Sequence, residues 1–173
     1  MRQRVGGLNI RQVISSALLS GGQRAGSWLE FIKLGVSVQG SKLPPDNFIV
    51  SGLEAGKVLL AIDRLPYPMG ALVRFSYGPR DPAEGKEVAK YVLSFVDNPS
   101  PKWGILAGRA VQDAALSFSS DGARRFPAEV YQDSMGMKRQ SFAETWASRR
   151  DGIIERLTAM DAEALAKVRK ALR

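Results

Sequence analysis

The 173-residue chain contains no cysteine and no histidine. Without cysteine it can form neither a disulfide bond nor a thiolate metal site, and without histidine it lacks the commonest neutral metal ligand and general base. Zinc modules are thereby excluded. We expect a protein that uses no metal or other cofactor and that performs no catalysis.

Long hydrophobic runs are missing as well. The apolar stretch near the start of the chain is interrupted by Asn9, Arg11 and Gln12, and it is too short and too polar to cross a bilayer. No convincing secretion signal is present, so we expect a cytoplasmic protein with no membrane partner. With 45% hydrophobic residues, no internal repeat and no low-complexity segment, the chain suits a folded domain with a sizeable core.

Acidic residues are the scarcer of the two charge signs, and the net charge is +8. Residues 1–42 hold six basic and one acidic side chain, residues 43–120 hold eight of each, and residues 138–173 hold nine basic and five acidic. A basic excess that is confined to the two ends differs from a uniformly basic surface. It indicates a localised phosphate-binding face.

Almost every periodic segment has the spacing of an α-helix, so we predict an all-α fold. One predicted helix begins near Asp46 or Asn47 and ends before Pro66, and the next ends at Gly78. Two more predicted helices begin at prolines and have apolar faces. The face after Pro82 comprises Val88, Tyr91, Val92, Phe95 and Val96, and the face after Pro101 comprises Trp103, Leu106, Ala107, Ala110, Val111, Ala114 and Phe118.

Near the C-terminus one apolar edge is followed by a predicted interruption. The edge consists of Phe142, Trp146, Ile153 and Leu157. Asp151-Gly152 is expected to break this helix, and the segment Thr158–Asp161 resembles a capping box that opens a last helix. The residues of that last helix that are predicted to face inward are Leu165, Val168 and Leu172.

The segment Ala128–Trp146, AEVYQDSMGMKRQSFAETW, matches the pattern of a DNA-binding helix-turn-helix. In this motif a glycine at the ninth position forms the tight turn, and apolar residues at positions four, eight, ten and fifteen lock the two helices together. Those five slots hold Tyr131, Met135, Gly136, Met137 and Phe142. The match is incomplete at Gln132, where a small residue is usual, and at Thr145, where an apolar residue is usual. Trp146 is the candidate for the missing packing.

The second helix of this motif would present five polar side chains outward, namely Lys138, Arg139, Gln140, Ser141 and Glu144. These side-chain types hydrogen-bond phosphates and base edges in the major groove of duplex DNA. The alternative is an ordinary helical hairpin, because Gly136 would serve equally well as the left-handed residue that ends any helix. The basic excess that begins at Lys138 favours DNA binding.

We therefore predict three regions. Residues 1–42 form a basic N-terminal arm with short helices, residues 43–120 form a multi-helix body, and residues 121–173 form a C-terminal helix-turn-helix with a terminal helix. Within the arm, the helical spacing of Trp28, Phe31 and Ile32 predicts a buried face. The stretch Gly35–Pro45 is interpreted as an extended linker.

Several segments also carry a resemblance to a known family. They are Ile62–Pro66 (IDRLP), Ala71–Gly78 (ALVRFSYG) and Met135–Phe142 (MGMKRQSF), the last of which is followed by Trp146–Arg150 (WASRR). Together they resemble the Q family of bacteriophage antitermination proteins, in which a helical body precedes a helix-turn-helix. The resemblance covers roughly residues 55–157 and is to the members without cysteine-rich zinc modules.

This resemblance implies a late-gene regulator that binds a DNA element near a phage late promoter. Such a protein loads onto a paused RNA polymerase in the cytoplasm of the bacterial host and makes the polymerase insensitive to terminators. The implied DNA contacts are Lys138, Arg139, Gln140, Ser141 and Glu144, with Arg149 and Arg150 as phosphate contacts. The body and the N-terminal arm would contact RNA polymerase and sigma factor.

Other functions stay open at this point. One is a different helix-turn-helix protein, either a repressor or the DNA-recognition subunit of a phage packaging motor. Another is a metal-dependent nuclease, although the spacing of the candidate carboxylates, Asp63, Asp81, Glu84 and Glu87, follows no metal-site pattern. Because one short helix recognises few base pairs, we also expect a second protomer or the polymerase itself to assist DNA binding.

Overall fold

The structure, a computed structural model, describes residues 9–19 and 52–173, with the side chains of the second range described from residue 55 onward. Within these ranges the regular secondary structure is entirely helical, which confirms the predicted all-α class. The helices are α1 (10–19), α2 (Gly52–Asp63), α3 (Met69–Tyr77), α4 (Pro82–Leu93), α5 (Pro101–Ser119), α6 (Ala128–Met135), α7 (Arg139–Ser141) and α8 (Ala147–Ala171). A π-helical turn, Phe142–Trp146, joins α7 to α8 directly.

Local sequence signals set most of the helix ends. Helices α4 and α5 each begin at a proline, which suits the first turn because its missing N–H would have no partner there. The carboxylate of Asp81 caps α4 by accepting a 2.9 Å hydrogen bond from the backbone N–H of Ala83. Helix α3 ends immediately before Gly78, and α2 ends before Pro66, as the sequence predicts.

Helix α5 lies at the centre of the fold and contacts α3, α4, α6 and α8. Its buried apolar residues are Leu106, Ala107, Ala110, Val111, Ala114, Ala115 and Phe118. Helix α8 packs on α5, α3 and α2, and its buried apolar residues are Ile153, Ile154, Leu157, Met160, Ala164, Leu165 and Val168. The helices before and after residue 120 therefore share one hydrophobic core. The three predicted regions and their boundaries stay predictions.

Arg11 fastens α1 to two distant parts of the chain. Its guanidinium lies 3.1 Å from the carboxylate of Asp121, which follows α5, and 3.1 Å from the carboxylate of Asp161 on α8. Asp161 is buried and also accepts a 2.8 Å hydrogen bond from the hydroxyl of Tyr77 on α3. A buried carboxylate needs such partners, because an unpaired one would be strongly destabilising.

The predicted apolar face after Pro82 is wrong in its last turn. Helix α4 ends at Leu93, so the side chains that follow do not continue its inward face. Phe95 is 53% exposed and Val96 lies beyond the helix. By contrast, the predicted helix after Pro101 is confirmed, and it ends at Ser119.

The predicted interruption at Asp151-Gly152 is also wrong, because α8 runs through both residues without a break. The capping box at Thr158 is not formed either. The hydroxyl of Thr158 donates a 2.8 Å hydrogen bond to the carbonyl of Ile154 within the same helix, and Asp161 binds partners on other helices. Of the predicted inward residues of this helix, Leu165 and Val168 are buried, but Leu172 is 36% exposed.

Some sequence predictions concern residues outside the described ranges. These are the start of the helix near Asp46 or Asn47, the linker Gly35–Pro45 and the helix face of Trp28, Phe31 and Ile32. Among the helices that the structure describes, none combines the length and the hydropathy that a membrane span requires.

Candidate nucleic-acid interface

A tight turn at Gly136 joins α6 to the helical run that begins with α7. Gly136 has φ +59° and ψ +42°, which is the left-handed conformation that glycine adopts without a steric penalty. Its N–H donates to the carbonyl of Asp133 at 3.2 Å, and the N–H of Met137 donates to the carbonyl of Gln132 at 2.9 Å. This pair of hydrogen bonds is the Schellman arrangement, which satisfies carbonyls that the end of α6 would otherwise leave free.

Large apolar side chains lock α6 against the helical run after the turn. Tyr131, Met135 and Phe142 are buried, and the rings of Tyr131 and Phe142 lie 6.0 Å apart. These are the fourth, eighth and fifteenth positions of the predicted motif. Met137, the tenth position, is half-buried.

The two atypical motif positions, Gln132 and Thr145, are not buried. Gln132 is half-buried and Thr145 is exposed. The adjacent Trp146 is buried instead and packs edge-on against Trp103 of α5, with ring centroids 5.4 Å apart. The interpretation that Trp146 supplies the missing packing is consistent with this contact, which attaches the start of α8 to the body.

Asp113 of α5 fixes the position of α6. Its buried carboxylate accepts a 2.7 Å hydrogen bond from the Tyr131 hydroxyl and another, also 2.7 Å, from the backbone N–H of Phe126. Burial, together with the bond to Asp113, raises the pKa of Tyr131, so its hydroxyl stays protonated and remains a donor. This role of Asp113 was not predicted from the sequence. Asp113 lies amid the apolar face of a helix, and a carboxylate in such a position is the signal of a buried partner.

The polar side chains that follow the turn lie on the surface. The exposed ones are Lys138, Arg139, Gln140, Ser141 and Glu144, as the sequence predicts for the outer face of the second helix. The Nε2 amide of Gln140 donates a 2.9 Å hydrogen bond to the carboxylate of Glu144 one turn later. This bond leaves the carbonyl oxygen of Gln140 and one amide hydrogen free for another partner. The assignment of all five residues as DNA contacts stays a prediction.

The two consecutive arginines have different surroundings. Arg149 is exposed, and its guanidinium lies over the rings of Trp103, at 5.1 Å, and Trp146, at 4.7 Å. Arg150 is only 21% exposed; it lies over the rings of Tyr131 and Phe142 and pairs with Asp151 at 2.7 Å. Arg149 therefore suits a phosphate contact, whereas Arg150 already has partners that stabilise the fold.

The turn of π-helix between α7 and α8 was not predicted. The turn is closed by a hydrogen bond from the N–H of Ala147, the residue after it, to the carbonyl of Phe142, five positions earlier. Turns of this kind are rare and occur often at functional sites, because they change the direction of the side chains on a helix. Here the turn bears two buried aromatic residues, Phe142 and Trp146, below the exposed Glu144.

The carboxylates that a nuclease would need have other partners. Asp63 and Glu84 both pair with the guanidinium of Arg74, at 3.1 and 2.7 Å. Asp81 caps α4, and Glu87 pairs with Lys90. Within residues 9–19 and 52–173, no three acidic side chains come together in a group that could hold a metal ion.

Comparison of the chain with protein-family models, with curated proteins and with solved structures finds no match. The resemblance to the Q family therefore depends on the sequence segments quoted above, and the DNA-binding interpretation depends on the geometry around Gly136.

Proposed function

We propose that this chain is a sequence-specific DNA-binding protein whose helical run after Gly136 enters the major groove of duplex DNA. The observation that carries the proposal is the combination of a left-handed turn at Gly136, a buried aromatic contact between Tyr131 and Phe142, and an exposed polar turn beginning at Lys138. In such an arrangement α6 braces the next helix, and the first turn of that helix is free to reach base edges.

The chemistry of the exposed turn supports base and phosphate contacts. Arg139 can donate two hydrogen bonds to guanine, and Gln140 can pair with adenine through its free carbonyl and its remaining amide hydrogen. Lys138 and Ser141 can bind phosphate oxygens. Glu144 orients Gln140 through their 2.9 Å hydrogen bond, which gives the acidic residue a role on an otherwise basic face.

On the strength of the sequence resemblance, we propose further that the protein is a Q-type phage antitermination factor. It would bind a DNA element near a late promoter and remain with RNA polymerase, acting in the cytoplasm of the bacterial host without catalysis of its own. The helical body and the N-terminal arm are the surfaces left for polymerase and sigma factor. A second protomer or the polymerase would add the specificity that one short helix lacks.

A terminator read-through assay with purified polymerase and a paused template tests this proposal. The wild-type protein should raise read-through on a template that carries its DNA element, and Arg139→Ala should abolish most of that increase. Arg169→Ala is the matched control, because Arg169 is also exposed, lies near the far end of α8 and carries the same charge. Specific DNA binding without any read-through would retain the DNA-binding proposal and eliminate the antitermination role.

A further inference from the structure

Two arginines on α8 each lie over an aromatic ring of the body, and one of them also lies over a ring of the π turn. Arg149 lies over Trp103 and Trp146, and Arg156 lies 4.1 Å from the ring centroid of Phe95. The two arginines are seven residues apart, which is close to two helical turns and about 10.5 Å of rise, so they lie on one face of the helix. We call Arg149, Arg156, Trp103 and Phe95 the arginine strip.

Neither guanidinium of the strip has a carboxylate partner within the part of the chain that the structure describes. Arg74 and Arg150, by contrast, are each paired with acidic side chains. The residue between the two strip arginines on this face, Gly152, is exposed and uncharged. Among the described residues, the two guanidinium groups of the strip are therefore free of salt bridges and available to an anionic ligand.

The aromatic contacts leave part of each guanidinium available to a ligand. A ring that covers one flat face of an arginine leaves its N–H edge free, and this planar edge matches two oxygens of a phosphate group. The ring of Phe95 is 53% exposed and is supported edge-on by Tyr91, with centroids 4.9 Å apart. Arg156 is thus held at the surface in a restricted orientation, which lowers the entropy lost when it binds a ligand.

Another face of α8 carries acidic as well as basic side chains. Asp151, Glu155 and Thr158 lie there beside Arg125 in a shallow groove where both charge signs occur. A polyanion would meet carboxylates on that face and would be repelled. The strip is the part of α8 near its N-terminus where basic side chains occur without acidic neighbours on the same face.

The position of the strip along the helical run fits the backbone of duplex DNA. The major groove is about 12 Å wide. Arg149 follows Arg139 by ten residues, about 15 Å along a helix, so a helix that enters the groove with its first turn would bring Arg149 to the groove edge. Arg156 follows Arg139 by 17 residues, about 25 Å along a helix, so it would lie past the groove edge, against the outer side of the sugar-phosphate backbone.

We propose that the arginine strip binds the sugar-phosphate backbone of the same DNA duplex whose bases the turn after Gly136 contacts. Trp103 and Phe95 act as positioning residues for the two guanidinium groups. This inference depends on the proposed DNA-binding function. It extends the DNA-contact surface to Arg156 and to Phe95, which lies in the segment between α4 and α5.

The test is the salt dependence of the dissociation constant for a DNA fragment that contains the target site. Loss of one phosphate contact lowers the slope of log K against log salt concentration by about 0.9. Arg156→Ala should lower the slope by about that amount, and Arg156→Lys should retain it because the ammonium group still neutralises a phosphate. Arg169→Ala removes the same charge from a different face of α8 and should leave the slope unchanged.

A second pair of variants tests the positioning role of Phe95. Phe95→Leu removes the ring but keeps an apolar side chain, and it should weaken DNA binding severalfold while thermal stability stays close to that of the wild type. Phe95→Trp keeps an aromatic face under Arg156 and should restore the affinity. Equal affinities of the leucine and tryptophan variants would overturn the positioning role.

The outcomes separate this inference from the proposed function. Wild-type protein that binds no duplex DNA would overturn both. Specific binding that is lost in Arg139→Ala but keeps its salt slope in Arg156→Ala would retain the proposed function and overturn the strip. An equal fall of the slope in Arg156→Ala and Arg169→Ala would show general charge attraction and would likewise overturn the strip.

Discussion

The hydroxyl of Tyr131 donates a 2.7 Å hydrogen bond to the buried carboxylate of Asp113, and this bond ties α6 to the central helix α5. The only other hydrogen bond to this carboxylate comes from the backbone N–H of Phe126, as far as the described residues show. The guanidinium of Arg109 on α5 also donates a 2.8 Å hydrogen bond to the hydroxyl of Ser134 on α6, but this second contact is only part-buried. The Tyr131–Asp113 bond is the buried polar contact between the two helices, and Phe142 packs on the Tyr131 ring.

Replacing Tyr131 with phenylalanine should lower the free energy of unfolding by about 1–3 kcal/mol, because one oxygen of the buried Asp113 carboxylate loses its donor. Urea denaturation measures the effect. Tyr67→Phe is the matched control, since the Tyr67 hydroxyl also binds a carboxylate, that of Glu87 at 2.7 Å, but the Tyr67 side chain is 64% exposed. The control should change stability by less than about 0.5 kcal/mol. Equal effects of the two substitutions would contradict the structural role of Asp113.

Two glycine substitutions should have opposite signs. Gly136→Ala places a side chain in a left-handed conformation and should destabilise the protein by about 1–2 kcal/mol. Gly152→Ala lies in the interior of α8 and should stabilise it by about 0.5–1 kcal/mol. In both cases the new Cβ meets no atom within 4 Å, so the difference isolates backbone conformation. Thermal denaturation provides the comparison, and stabilisation by Gly136→Ala would rule out the left-handed turn.

Asp161 should give the stability a pH dependence of defined sign. Burial raises its pKa above the ordinary value of 3.8, and the hydrogen bonds from Tyr77 and the charge of Arg11 only partly oppose this. The folded protein therefore takes up a proton at higher pH than the unfolded chain does. As pH falls through the window from the raised pKa toward 3.8, the contribution of Asp161 to the free energy of unfolding increases.

Asp161→Asn removes this titration, and comparison with the wild type separates it from the titration of other groups. We expect the stability of the wild type relative to Asp161→Asn to rise as pH is lowered through that window. Urea denaturation at a series of pH values measures the difference. A difference that shrinks on acidification would mean that Arg11 and Tyr77 lower the pKa of Asp161 more than burial raises it.

Arg139 and Arg150 should respond differently to truncation. Arg139→Ala should weaken binding to the specific DNA site by about 1–3 kcal/mol, if its guanidinium contacts a guanine in two places. Arg150→Ala should instead lower the free energy of unfolding by about 1 kcal/mol, because its contacts with Tyr131 and Phe142 are lost. Binding titrations at two salt concentrations and urea denaturation of both variants check these outcomes. The assignment of Arg150 as a phosphate contact stays a prediction, and a large fall of the salt slope in Arg150→Ala would support it.

Features with a local cause were predictable from the sequence. The starts of α4 and α5 follow from Pro82 and Pro101, and the turn follows from Gly136, because each of these residues restricts or frees the backbone at its own position. The burial of Tyr131 and Phe142 follows from helical spacing on either side of that turn.

Features with a distant cause were not predictable. A glycine costs a helix only about 1 kcal/mol, and the burial of Ile153 and Ile154 beside Gly152 outweighs it, so α8 continues. Asp161 was interpreted as part of a capping box from its local sequence alone. Its actual partners, Tyr77 and Arg11, are 84 and 150 positions away, so nothing near Asp161 in the sequence indicates them. The contact of Arg149 with Trp103 was not predictable either, because Trp103 belongs to another helix and is distant in sequence.

Helix α8 runs without a break for 25 residues, about 37 Å, from the π turn that precedes it to Ala171. Its buried residues from Ile153 to Val168 pack on α2, α3 and α5, so the helix cannot tilt without repacking the core. Because the π turn joins α8 directly to α7, the packing of α8 sets the orientation of the exposed turn that bears Arg139 and Gln140. A substitution that repacks the core beneath α8 would therefore change the angle at which Arg139 and Gln140 meet their ligand, without altering either residue.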